Sequence, residues 1–238
     1  MVDHTKGLIA ASRESSVRST LEYIAEKSLD SIIPIMDNSE ILKDIPIIGS
    51  AIAVVKGFSA INNAHTLRKF ANFIGVVNEL NETEAEQLQA HLSNEKNQNK
   101  IIEETILYLD RYHNELKARL LGQLFKETFL SKTFTIDEYN SLLFSIDQIH
   151  PYTGVQILEE YYSTAKDFDN AIDDISKNEA KRKIANIDYQ PLSATGLIQF
   201  PRGIIGIGQS NGASISQLGQ RFYENVVLKT DLTELNLD

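Results

Sequence analysis

The stretch Ile45 to Ile61, "IPIIGSAIAVVKGFSAI", carries one formal charge in seventeen residues, and the rest of the chain is acidic and mixed in polarity. As a helix it would be apolar all round, which suits either a membrane segment or the most buried helix of a bundle. Seventeen helical residues reach about 26 Å, slightly short of a hydrocarbon layer of roughly 30 Å. Gly49, Ala53 and Gly57 recur every fourth residue and place small side chains on one face, where another helix can approach closely. Lys56 lies on a different face and would cost a few kcal/mol at mid-bilayer, which disfavours a lone spanning helix. A pore of several chains would relieve that cost by turning Lys56 to water. Arg68 and Lys69 follow the stretch, where basic side chains can snorkel or meet anionic headgroups. Both readings require the Gly49, Ala53 and Gly57 face to touch a helix, in the same fold or across a subunit boundary.

Around this stretch the chain has the composition of a folded protein, with 42% hydrophobic and 24% charged residues in 238 and a net charge of −10. No region is basic, so a large nucleic-acid footprint is disfavoured. With no cysteine, disulfides, thiol nucleophiles and cysteine metal sites are excluded, and a reducing compartment is the natural setting. The opening "MVDHTKGLIAASRESS" has no apolar region of signal-peptide length, so secretion by that route is not expected. The expected division is an N-terminal helical part over 1–80 and a second part over 81–238.

Helical spacing dominates. Val17, Leu21, Ile24, Leu29 and Ile32 predict an amphipathic helix over Ser16–Ile33, ended by Pro34. Leu67, Phe70, Ile74 and Val77 share the apolar face of another, beside Arg68 and Lys69. Thr83 with Glu86 fits a capping box for a solvated helix. Ile102, Ile106, Leu109, His113, Leu116 and Leu120 alternate four and three residues apart, predicting one long helix from Ile101 to Leu130. Thr135 with Glu138 opens a helix to about Ile149, "HPYTG" interrupts it, and Thr153 with Gln156 restarts one.

The tail differs. "GLIQFPRGIIGIGQSNGAS" is rich in Gly and turn dipeptides, predicting strands at about Leu197–Phe200 and Ile204–Ile207 and then a helix capped by Ser214 with Gln217. Its glycines lack the spacing of a dinucleotide or phosphate loop, so they read as turns. Asp167, Asp169, Asp173 and Asp174 lack the Gly and the terminal Glu of a calcium loop and read as a solvated face. Lys181, Arg182 and Lys183 read as an exposed helix end that could meet a partner. The five histidines have no paired metal spacing, and no serine sits in a nucleophile elbow. No cofactor is expected, and the chain is not expected to be an enzyme.

Two segments carry a resemblance. "DIPIIGSAIAVVKGFSAINNAHTLRKFANFI", residues 44–74, resembles a segment of small bacterial proteins associated with antiphage defence. "LSATGLIQF…ASISQLGQRFYENV", within residues 192–226, is similar to the closing hairpin and helix of a winged-helix module. Such a module would occupy about 135–228 and read a protein or small ligand, since Lys181, Arg182, Lys183 and Arg202 are few cations for DNA. The resemblance implies a mainly α fold: a helical bundle with a small C-terminal winged-helix-like β-hairpin module. It implies a non-enzymatic, homo-oligomeric effector acting on inner-membrane lipid under control of the C-terminal module. The competing expectation is a cytosolic winged-helix regulator or adaptor that binds DNA or protein.

Overall fold

The computed structural model describes residues 19, 22–25, 60–93, 96, 98–200 and 213–231. The described residues are mainly helical with a small antiparallel strand pair. Its helices are α1 (Ala60–Asn78), α2 (Glu82–Ser93), α3 (Gln98–Arg111), α4 (Glu115–Phe129), α5 (Ile136–Gln148), α6 (Gly154–Asn170) and α7 (Asp174–Asn186). A 3-10 turn (Gln190–Leu192), strands β1 (Ile198–Gln199) and β2 (Ser214–Ile215), and α8 (Gln217–Phe222) complete the order, with a π-helical turn over Tyr223–Val227. The chain divides into two compact units, 1–139 and 140–238. In the first, the principal packing partner of α1 is α4.

In the N-terminal unit the expected face of α1 is buried: Leu67, Phe70, Ile74 and Val77 are all nearly solvent-free. Ala71 and Phe73 are buried as well, so burial extends round most of the helix. The close crossing with α4 is made possible by Gly122. A Cβ there would lie 2.9 Å from the Phe73 carbonyl oxygen and 2.9 Å from Val76 Cβ. An aromatic cluster fills the interior, with Phe73 set edge-on to Phe125 at 5.7 Å and Phe129 edge-on to Tyr139 at 5.1 Å, an arrangement the ring quadrupoles favour. Of the expected helix over 16–33, residues Glu22–Ala25 are helical, and Ile24 is fully buried.

The long helix expected from Ile101 to Leu130 is two helices. Its spacing runs unbroken through Tyr112–Asn114, yet Asn114 adopts an extended conformation and its side chain accepts from Lys117 N at 3.2 Å, capping α4. An N-cap asparagine satisfies one of the four orphan donors of a helix start. Capping differs elsewhere too. The reciprocal box on α2 is Asn81 with Glu84, at 2.9 and 3.0 Å, two residues before the expected pair. Thr135 with Glu138 is a capping box as expected. Thr153 makes no side-chain cap. Its hydroxyl instead meets His150 Nδ1 at 3.0 Å, and that ring nitrogen also accepts from Thr153 N.

In the C-terminal unit α6 packs on α7, on β2 and on the 3-10 turn. The strand partner of Ile198–Gln199 is Ser214–Ile215, with Ile198 opposite Ile215. The strand expected at Ile204–Ile207 lies outside the described residues. Ser214 is therefore a strand residue, and Ser216 caps α8 by accepting from Gly219 N at 2.9 Å.

Candidate functional site

Two polar constellations and one corner stand out, each built within a single unit. The first grips the end of α3 from α1. Lys69 is 2% exposed, and its ammonium donates to the backbone carbonyls of Asp110 and Tyr112. These carbonyls lie in the last turn of α3 and one residue beyond it, where helix geometry leaves acceptors without intrahelical donors and the dipole favours a cation. Thr66 donates to Asp110 Oδ1 at 2.9 Å, and His65 Nε2 donates to the His113 carbonyl at 3.2 Å. Arg68 pairs with Glu115 at 3.3 Å. Burial lowers the Lys69 pKa, against the opposing attraction of Asp110 and Glu115.

Both basic residues expected to meet headgroups are thus engaged with protein groups. The signal the sequence did offer was the apolar environment around position 69: Phe70, Phe73 and Leu67 bury the same turn, and a lysine there must find internal acceptors. Gly49, Ala53, Lys56 and Gly57 lie outside the described residues, as does Arg202.

The second constellation joins α6 to the π-helical turn. Glu224 accepts from the Tyr162 hydroxyl at 2.9 Å and from Gln220 Nε2 at 3.3 Å, and it pairs with Lys166 at 3.4 Å. Tyr162 stacks on Tyr223 with centroids 4.5 Å apart, and Lys166 lies over the Tyr162 ring. Burial pushes the Glu224 carboxyl up, but the hydrogen bonds from Tyr162, Gln220 and Lys166 outweigh it and hold the group below its ordinary value. The π turn carries Leu228 N to Tyr223 O, a bond over five residues. Such one-turn widenings often mark functional positions; here the turn contributes Tyr223 and Glu224 to the cluster. Nothing in the sequence pattern marked this group.

The third feature is the α6–α7 corner. Of the expected partner-binding residues, Lys183 pairs with Asp167 at 3.3 Å and Lys181 lies 5.7 Å over the Phe168 ring, so both turn onto α6. Arg182 is exposed on the same helix. Asp173 caps α7, accepting from Ser176 N at 2.8 Å and from Ser176 Oγ at 3.1 Å. These bonds hold its carboxyl below the ordinary aspartate range. Ile172 and Ile175 stand beside it, 98% and 74% exposed.

Among the described residues no group of three or more His, Asp or Glu is placed to hold a metal ion. Among them, too, no helix is long and apolar enough to cross a membrane. No protein-family model matches the chain, and comparison with curated proteins and with solved structures finds no match.

Proposed function

We propose that this chain is a non-enzymatic, oligomeric membrane effector, of the kind found in bacterial antiphage defence, whose apolar segment Ile45–Ile61 acts on the bilayer under control of the C-terminal unit. The observation that carries this reading is the mounting of α1. The helix includes Ala60 and Ile61, the last two residues of the apolar segment, and it is fixed by Lys69, Thr66 and Arg68 to the α3–α4 corner and by the close Gly122 crossing to α4. A segment that must work against a lipid phase needs such a rigid base. The Gly49, Ala53 and Gly57 face supplies contacts between subunits, and Lys56 faces water in the assembled form.

The test is fractionation of the full chain together with dye release from anionic liposomes. The expected result is membrane association and leakage, reduced at least about tenfold when Gly49, Ala53 and Gly57 are changed to Leu, because close helix packing is blocked. Protein found wholly in the soluble fraction, with liposomes that never leak, rejects the reading. A second reading, a cytosolic adaptor working through the C-terminal unit, draws on the exposed isoleucines of the α6–α7 corner.

A further inference from the structure

We draw no further inference here: the strongest candidate, the exposed pair Ile172 and Ile175 at the α6–α7 corner, stands beside an acidic helix start, and nothing in the structure shows what covers it.

Discussion

Lys69 and Tyr161 show how differently two buried polar groups can be treated. The Lys69 ammonium has two carbonyl partners at the end of α3, so Lys69→Met leaves acceptors in a buried place without their donor. The expected loss is about 1.5–3 kcal/mol, the range for hydrogen bonds to charged groups, measured as a lower urea midpoint at unchanged slope. The Tyr161 hydroxyl has no hydrogen-bond partner among the described residues, although the side chain is buried. Tyr161→Phe removes an unsatisfied group, and stability should hold or rise by up to about 1 kcal/mol at neutral pH. The two groups also pull oppositely at alkaline pH. Burial raises the Tyr161 phenol to about 12, while an unfolded tyrosine ionises near 10. Between those values the folded chain holds the extra proton, so stability falls as pH rises. Lys69, lowered by burial, releases its proton in the folded chain first, so its contribution rises with pH up to the ordinary lysine value. Tyr161→Phe should flatten the alkaline loss of stability, and Lys69→Met should steepen it, as read in melting temperature against pH.

At the scale of elements, the "S-x-L-G-x-x-F" run from Ser216 to Phe222 has a physical reason at Ser216, Gly219 and Phe222. Ser216 caps α8 and donates to the Gly196 carbonyl at 3.0 Å, and Phe222 is fully buried. Gly219 lets the helix touch the strand backbone, since a Cβ there would lie 2.0 Å from the Leu197 carbonyl oxygen. Gly219→Ala should cost about 3 kcal/mol or more, because a backbone atom rather than a flexible side chain must move. A thermal melt of the full chain beside Gly75→Ala, where a Cβ meets nothing within 4 Å, checks it. The cap of α8 was expected at Ser214 and falls at Ser216, whereas the apolar face of α1 was legible because it depends on neighbours in sequence. The break between α3 and α4 was not, because the four-and-three spacing continues through Tyr112–Asn114. What holds the end of α3 comes from α1: Lys69, more than forty residues away, takes the carbonyls of Asp110 and Tyr112. The pairing of Ile198 with Ile215 was illegible for a related reason, since two-residue strands carry too little alternation to set a register. Of the candidate sites, the basic run on α7 was visible as a run. That Lys181 and Lys183 lean onto α6 depends on Phe168 and Asp167, whose placement no spacing conveys.

At the scale of the whole chain, the boundary between the units falls inside α5, between Tyr139 and Asn140. Tyr139 belongs to the buried aromatic cluster of the N-terminal unit, and its hydroxyl lies 2.7 Å from Thr105 Oγ1. Thr105 spends its own proton on the Ile101 carbonyl, so Tyr139 is the donor. Ser145, two turns on, donates to the Thr195 carbonyl in the C-terminal unit. A fragment starting at Asn140 therefore loses the Thr135 and Glu138 box and the first turn of α5. It should melt lower than one starting at Phe134, by about 1 kcal/mol for the cap alone, as circular dichroism would show. The anchoring of α1 carries one more consequence, a mechanical one. In the proposed membrane role, a load arriving at Ala60 would meet a helix braced at Lys69 and again where Gly122 meets the Phe73 carbonyl, and so would pass into α3 and α4 before it could peel α1 away. Loosening either brace would turn a stiff lever into a slack tether.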